Sequence, residues 1–487
     1  MPRTDRLLLA NAMLGQFITG FAGRSFVVAM PTIASALDAD ILGISWAIIA
    51  YQLAGISLSV VFGRLGDIHG RYVIYGLGFG IMAASAFLCG VAPSVGWLVS
   101  FRLLEGVGAA MIASATRVLA MEAMPESAAG RANGFMTMSF HGGVLLGPPI
   151  GGFVIDVVSW RWIFFVLVPI GLTGIVLTAL RARDGHGARE ADGARDGDGA
   201  PRARRRPAVD YVGAALLIVL TVVLTILVDR RSAALIGAAE RSVMAMLFAG
   251  TLAGFLVHER RAHNPVVNLA LFRIRMFTFS VVSLLIIATT TSVLMLLLPF
   301  YMQDVLGQSA SLMGVVFLAA PIFTVSLAPL VGRLTDRIGP RIPAAIGVAM
   351  TTAGFAVGTS FSVDSHWALP AVLMALTGLG QGFFNTANQT ALIASVPRDY
   401  RGFATGMVQM VFGLGSLLGT SLGSVLLTLM FRYATGLPDA APTPESPVAF
   451  VSAMRGAYAV CLALTIVAFV ASFMRGGVRA GPGTAVP

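Results

Sequence analysis

The segment that decides the fold spans residues 63–71 and reads Gly-Arg-Leu-Gly-Asp-Ile-His-Gly-Arg. A second segment, 332–341, reads Gly-Arg-Leu-Thr-Asp-Arg-Ile-Gly-Pro-Arg. Both follow the pattern G-R-L-x-D-x-x-G with an Arg within the next two residues, and each comes directly after a long apolar stretch. Two copies of one charged loop in such equivalent places indicate a chain built from two related halves.

The composition around these loops is typical of a membrane protein. Of the 487 residues, 56% are hydrophobic and 11% are charged, whereas soluble domains carry roughly 25% charged residues. A helix that crosses a bilayer takes about 20 residues, and fourteen apolar stretches can be marked. They begin near Leu7, Leu42, Val73, Val95, Gly134, Trp162, Tyr211, Ser242, Phe277, Leu312, Ile342, Leu369, Ala404 and Ser452. The prediction is an all-α integral membrane protein with fourteen transmembrane helices, arranged as two six-helix bundles plus two inserted helices.

Polar segments divide this predicted series of helices. Residues 182–209 are rich in charged side chains and glycine, which predicts a solvated linker. The predicted domains are an N-terminal bundle at 1–181, the cytoplasmic linker at 182–209, two inserted helices at 210–258, a cytoplasmic loop at 259–275, a C-terminal bundle at 276–475 and a cytoplasmic tail at 476–487.

The charge distribution predicts the topology. All 33 basic residues are Arg and the net charge is +10. Most of these Arg fall on one side of the predicted topology, which is the positive-inside pattern and places both termini in the cytoplasm. It also accounts for the basic composition without a nucleic-acid partner. The apolar stretch from Leu7 is interpreted as the first membrane helix, not as a removable signal peptide.

Several classes of function are not expected from this sequence. Cys89 and Cys461 each lie in an apolar run, which indicates neither a disulfide framework nor a metal site. The sequence has no P-loop that would bind a nucleotide and no nucleophile elbow. We therefore expect no enzyme activity and no cofactor.

Glycines repeat between the halves as well. Small residues at four-residue spacing allow two helix backbones to approach closely, and Pro148 adds a kink. The matched positions are Gly106 with Gly378, Gly108 with Gly380, Gly143 with Gly415, Gly147 with Gly419, and Gly151 with Gly423.

Together these motifs resemble the major facilitator superfamily, and more narrowly its fourteen-helix drug:proton antiporter branch. The resemblance covers nearly the whole chain. It also rests on 102–108 (RLLEGVG), 143–152 (GVLLGPPIGG), 159–165 (SWRWIFF), 168–171 (VPIG), 210–213 (DYVG) and 264–272 (NPVVNLALF).

The resemblance implies roles for two of the motifs. It implies that the repeated loops form a cytoplasmic gate; the alternative is a solvated turn. The residues concerned are Gly63, Asp67, Gly70, Arg71, Gly332, Asp336, Gly339 and Arg341. It also implies that the fifth-helix motif is the one that marks exporters working by antiport; the alternative is simple helix packing. The residues concerned are Gly143, Gly147, Pro148, Gly151 and Gly152.

Two charged residues lie inside the predicted fourth helix. Arg102 and Glu105 are three positions apart, so they share one helix face, and charges within a membrane are functional candidates by default. Members of the branch usually carry Gln where this chain has Glu105. Burial favours the neutral carboxyl and an adjacent Arg favours the carboxylate, so this pair is predicted to carry proton coupling. The alternative is a static pair that locks the helix packing.

Arg24 lies in the middle of the predicted first helix. The branch commonly carries an acidic residue nine positions before Pro31, where this chain has Ala22. We expect Arg24 to pair with Glu105; the alternative is that Arg24 faces a watery cavity and binds an anionic group. In either arrangement, we expect the site to bind cationic substrates less well than is usual for the branch. His141 titrates near neutral pH and is a further candidate for proton transfer; the alternative is a packing or hydrogen-bonding residue.

The predicted function is proton-driven antiport that exports small amphipathic organic compounds by alternating access. The chain would act in the lipid bilayer of a bacterial-type inner membrane, as a monomer, with protons as the coupling ion. One alternative is a dedicated exporter of a host-made metabolite or lipid, and another is a receptor or scaffold without transport. Candidates for the substrate cavity are Tyr51, Gln52, Gln381, Asn385, Asn388 and Gln389.

Overall fold

The computed structural model describes residues 3–123, 129–183, 238–261, 269–396, 401–437 and 440–475, and the positions 212, 213, 216, 219, 220 and 223. The predicted tail at 476–487 and nearly all of the predicted linker lie outside these residues. All regular secondary structure in the described part is helical.

We number the described helices in chain order. They are α1 (Arg3–Ala36), α2 (Ile41–His69), α3 (Arg71–Gly90), α4 (Val95–Glu122), α5 (Ala129–Val157), α6 (Trp162–Phe165), α7 (Leu167–Arg183), α8 (Ala238–Arg261), α9 (Arg275–Phe300), α10 (Ala310–Ile338), α11 (Arg341–Gly358), α12 (Ala368–Ala394), α13 (Arg401–Thr435) and α14 (Pro447–Met474). A 3₁₀ turn at Leu269–Arg273 precedes α9, and a π turn at Tyr301–Val305 follows it.

Many of these helices are suited to a membrane. Within the described residues, eleven spans are long and apolar enough to cross one. Two shorter apolar stretches, Ile41–Gly55 and Ala310–Thr324, belong to α2 and α10. The helix predicted from Tyr211 falls mostly outside the described residues. The chain is therefore a multi-pass membrane protein, and the count of fourteen helices stays a prediction.

The two charged loops share two backbone features. Gly70 separates α2 from α3 with φ +95°, and Gly339 follows α10 with φ +79°. The N–H of Gly70 donates to the carbonyl of Gly66 at 3.0 Å, and that of Gly339 donates to Thr335 at 2.9 Å. Positive φ is strained for residues that carry a Cβ. This explains why the repeated motif ends in glycine.

The chain divides into two compact units. The first comprises Met1–Val266 with Pro299–Leu318, and the second comprises Val267–Leu298 with Ala319–Pro487. In the first unit, α1 packs against α5, α2 against α4, and α3 against α4 and α7. In the second, α11 packs against α12 and α14, and α13 packs against α14. The finer domain boundaries given above remain predictions.

The matched glycines make matched contacts within each unit. In the first unit, Gly143 and Gly151 lie against the α1 backbone at Phe17 and Ser25. In the second unit, Gly419 and Gly423 lie against α9 at Thr289 and Val293. A Cβ at Gly143 or Gly419 would overlap a carbonyl oxygen of the facing helix. The predicted close approach of backbones therefore occurs in both units.

The second set of glycines repeats in the same way. Gly106 lies against the backbone of Tyr51 in α2, and Gly378 lies against Ala320 in α10. Gly108 lies against Gly78 in α3, and Gly380 lies against Gly347 in α11. Lipid tails are as apolar as the side chains, so close packing of this kind is a main source of helix association in a bilayer.

The core of the first unit also contains polar links. Asn11 in α1 donates its side-chain amide to Thr178 Oγ1 in α7 at 2.9 Å. Tyr75 in α3 donates its hydroxyl to the carbonyl of Asn11 at 2.8 Å. Buried polar groups need such partners because they have lost water. These bonds fix α1 against α3 and α7.

Candidate transport site

The first unit contains a buried ion pair in α4. Arg102 Nη1 lies 2.9 Å from Glu105 Oε2, with side-chain exposures of 1% and 0%. The helix starts at Val95, so at 1.5 Å per residue Glu105 lies about 15 Å from that end of α4. Both charges are therefore inside the apolar span Val95–Thr116.

The neighbouring helices enclose the guanidinium of Arg102. Its central carbon lies 4.5 Å from the ring centroid of Phe26 in α1 and 4.3 Å from that of Tyr51 in α2. Its Nε donates to the carbonyl of Ala47 at 3.4 Å. Each cation–π contact is worth about 0.5–2 kcal/mol, depending on desolvation. Arg102 is consequently held by α1 and α2 as well as by Glu105.

Glu105 is less completely partnered than Arg102. Cys89 in α3 donates its thiol to Glu105 Oε2 at 3.8 Å, and that oxygen also accepts from Arg102. Glu105 Oε1 is buried and has no hydrogen-bond partner among the described residues. A buried acceptor without a partner is costly. The two oxygens of this carboxyl group therefore lie in different environments.

Arg24 does not pair with Glu105, so that prediction is wrong. Arg24 is half-buried, and no described residue forms a hydrogen bond or ion pair with it. The reason is the geometry of α1. Phe26 contacts Arg102, and residues two positions apart in a helix do not share a face. Arg24 therefore points away from the pair in α4.

Arg24 lies instead on the side of α1 that packs against α5. Its Cβ is 3.3 Å from the place where a Cβ at Gly147 would be. His141 of α5 interacts electrostatically with Arg24, and its exposed ring packs edge-on against Phe140 at 5.6 Å. Of the four predicted coupling residues, Arg102 and Glu105 therefore form one pair in α4, while Arg24 and His141 lie on the two helices α1 and α5, which pack against each other.

The gate residues are only partly described. The structure places Gly63, Gly70, Gly332 and Gly339 at the ends of α2 and α10, with Arg71 and Arg341 opening the next helices. The side chain of Asp67 lies outside the described part. Asp336 is exposed, and the Arg341 guanidinium lies 4.2 Å from the Phe473 ring centroid. Gating by these residues stays a prediction.

The fifth-helix motif makes contacts beyond α1. A Cβ at Gly152 would overlap the backbone of Ala310 at the start of α10, and Gly314 lies against the backbone of Pro148 and Pro149. Asp156, near the end of α5, accepts the N–H groups of Ala310 at 3.2 Å and Ser311 at 2.8 Å. The motif is therefore a packing surface, and its role in antiport stays a prediction.

The polar residues of α12 do not share one environment. Gln381 is half-buried and donates to Thr291 Oγ1 of α9 at 3.4 Å. Asn388 is fully buried, and its amide has no partner among the described residues. Asn385 is half-buried and Gln389 is exposed. In the first unit Tyr51 stacks on Arg102, and Gln52 beside it is half-buried.

Three contacts of the first unit had no clear signal in the sequence. Phe26 and Cys89 surround the ion pair, and both look like ordinary apolar residues of their helices. Asp156 caps α10 from a distant part of the chain. Together with Pro31, Gln303 and Asp304 it lines a cavity of about 470 Å³.

Buried charges and tightly packed glycine helices in a multi-pass helical protein are typical of membrane transporters. Comparison with known proteins specifies the family. The chain belongs to the Major Facilitator Superfamily, whose sequence model matches residues 12–257 and 280–484. This confirms the predicted family, which consists of transporters and not of enzymes.

Two curated relatives and one solved structure illustrate the match. The multidrug resistance protein Stp of Mycobacterium tuberculosis is 29% identical over 449 residues, which cover 91% of this chain and 80% of that protein. The multidrug transporter protein MdtP of Bacillus subtilis is 25% identical over 463 residues, covering 92% and 81%. These names support the multidrug efflux branch. A bacterial homologue of the human lysosomal transporter Spinster, inward-facing and unoccupied, has the same fold, with a TM-score of 0.68 at 14% identity over 98% of this chain and 97% of that one.

Proposed function

We propose that this chain is a proton-driven antiporter that exports amphipathic organic compounds by alternating access. Proton binding and release occur at Glu105, paired with Arg102. The protein works as a monomer in a bacterial-type inner membrane with both termini in the cytoplasm, and the proton gradient drives it without a cofactor.

The main observation behind this proposal is that the two oxygens of the Glu105 carboxyl group lie in different environments. Oε2 is paired with Arg102 at 2.9 Å, while Oε1 is buried without a partner among the described residues. A proton on this carboxyl group removes its charge and weakens the ion pair. Arg102 remains held by the Phe26 and Tyr51 rings and by the Ala47 carbonyl, so it tolerates both states of its partner.

The burial of the pair supplies the coupling to conformation. Neither side chain is accessible in this structure, so a proton can reach or leave Glu105 only when the surrounding helices separate. The walls come from α1, α2 and α3 through Phe26, Tyr51 and Cys89. A rearrangement of these helices would open the carboxyl group to water, which is the requirement for exchange of protons with one side at a time.

Two further features support export. The glycines of α5 lie in the motif that, by the family resemblance, marks antiporters, and they pack closely on α1. The relatives named above are multidrug resistance and multidrug transporter proteins. The repeated loops at Gly70 and Gly339 would gate the cytoplasmic side.

The test uses everted membrane vesicles from cells that express the chain. Their lumen is acidified by respiration, and the quenching of a pH-sensitive dye reports proton release as cationic, neutral and anionic lipophilic compounds are added. Some compounds should evoke proton release in the wild type and in Glu445→Gln, which alters an exposed loop acid, but not in Glu105→Gln. The proposal fails if no compound evokes release, or if Glu105→Gln responds like the wild type.

A further inference from the structure

We infer that Arg24 is an anion-binding residue that selects amphipathic substrates carrying a carboxylate or a similar anionic group. This inference rests on the proposed export function and specifies its substrate class. It is based on the position of the Arg24 guanidinium near the middle of a membrane-spanning helix. This guanidinium has no acidic partner among the described residues.

The position of Arg24 makes its charge unusual. The apolar span of α1 runs from Arg6 to Ala36, and Arg24 lies about 18 Å from its end at Ala36 and about 27 Å from Arg6, at 1.5 Å per residue. Charged side chains at such depth face a protein interior or a water-filled cavity and pair with something. At this depth the phosphates of lipid headgroups are remote, so a membrane lipid is a poor partner.

The two helices that pass Arg24 supply no negative charge along their apolar spans. Neither α1 from Arg6 to Ala36 nor α5 from Met138 to Ile155 contains an acidic residue. Glu105 is paired with Arg102 in α4, and this pair meets the face of α1 that carries Phe26. Among the described residues, His141 is a titratable side chain that interacts electrostatically with Arg24. This environment repels a cation and leaves the guanidinium available to an anion.

The local packing brings the stem of Arg24 against α5. Gly147 has no side chain at the point where α5 passes the Cβ of Arg24, so the stem of Arg24 lies directly against that helix. A guanidinium has five N–H donors in a planar fork, which matches a carboxylate through two parallel hydrogen bonds. Lysine carries the same charge but lacks this fork.

The experiment compares two dyes that differ in one group. Rhodamine 110 carries a free carboxylate, and rhodamine 123 is its methyl ester. Accumulation of each dye is measured in proteoliposomes with an acid lumen and the membrane potential clamped at zero. The proteins are the wild type, Arg24→Gln, Arg24→Lys and, as a matched charge-removal control, Arg455→Gln, whose side chain is exposed and donates to the Thr359 carbonyl.

The wild type and Arg455→Gln should have a lower KM for rhodamine 110 than for its ester. Arg24→Gln should raise the KM for rhodamine 110 by about tenfold or more, as expected for loss of a hydrogen bond to a charged group. The KM for the ester should stay unchanged or fall. Arg24→Lys should show a smaller rise for rhodamine 110 alone. This variant also decides the matter if Arg24→Gln does not fold.

The inference is overturned if the wild type prefers the ester, or if Arg24→Gln keeps the preference for the carboxylate. In either case acid-driven transport of a dye would still uphold the proposed export. Failure of the wild type to accumulate either dye would count against the proposed function itself and would remove the basis of this inference with it.

Discussion

Arg102 Nη1 and Glu105 Oε2 lie 2.9 Å apart within a single helix, three positions from each other. The ion pair therefore does not itself join two helices. The contacts between helices come from the guanidinium, which lies between Phe26 of α1 and Tyr51 of α2. Loss of the Glu105 charge would thus alter the electrostatics of this contact without removing its packing, as the proposed proton site requires.

The first prediction concerns the stability of this pair. Glu105→Met leaves a buried guanidinium without its counter-charge, and breaking a buried pair in this way costs about 3–5 kcal/mol. Arg102→Met should cost less because the remaining carboxyl group can take up a proton, whereas Arg stays charged. The double variant should recover much of the loss. The order of stabilities is measured by thermal unfolding of the purified proteins in detergent.

The expected order of unfolding midpoints is therefore wild type and double variant highest, then Arg102→Met, then Glu105→Met. If the double variant is destabilised by the sum of the two single losses, the side chains do not act as a pair.

The second prediction concerns the matched glycines. Gly143→Ala and Gly419→Ala would each place a Cβ against a carbonyl oxygen of the facing helix, so the helices must move apart. We expect a loss of about 1–3 kcal/mol, as for other overpacked sites. Gly55→Ala is the control because its added Cβ meets no atom within 4 Å. That variant should be neutral or gain up to about 1 kcal/mol of helix propensity.

Thermal unfolding in detergent again provides the measurement. Equal midpoints for Gly419→Ala and Gly55→Ala would show that the close approach of α13 to α9 is not needed.

The third prediction concerns Asp156, which accepts two N–H groups at the start of α10. Asp156→Ala leaves both donors without this partner and removes a negative charge from a helix N-terminus, a loss of about 0.5–2 kcal/mol. Hydrogen exchange of a peptide that contains Ala310 and Ser311, followed by mass spectrometry, should be faster in this variant. Asp304→Ala, in the wall of the same cavity, should exchange like the wild type. Unchanged protection in Asp156→Ala would refute the cap.

Much of this architecture could be predicted from local sequence patterns. The loops that end in Gly70 and Gly339 repeat because each requires a glycine with positive φ. The glycines of α5 and α13 repeat because each faces the first helix of its unit at close range. Such requirements eliminate larger side chains, so they leave a visible pattern in the sequence.

Other parts of the site leave no such pattern. The sequence shows that Arg24 and Glu105 both lie inside helices, but it does not show which face of α1 meets α4. Phe26 occupies that face, and one Phe among 30 carries no sign of this role. Cys89 and Asp156 act through contacts with distant residues, which are set by tertiary packing rather than by local spacing.

The most direct test of the proposed coupling separates proton-driven transport from substrate exchange in one preparation. Proteoliposomes containing the wild type, Glu105→Gln or Glu445→Gln are assayed with a dye that the wild type transports. One assay measures accumulation driven by an acid lumen, and the other measures counterflow against the same dye at equal pH. We predict that Glu105→Gln loses acid-driven accumulation and keeps counterflow near the wild-type rate, while Glu445→Gln keeps both. Acid-driven accumulation by Glu105→Gln at the wild-type level would contradict the account.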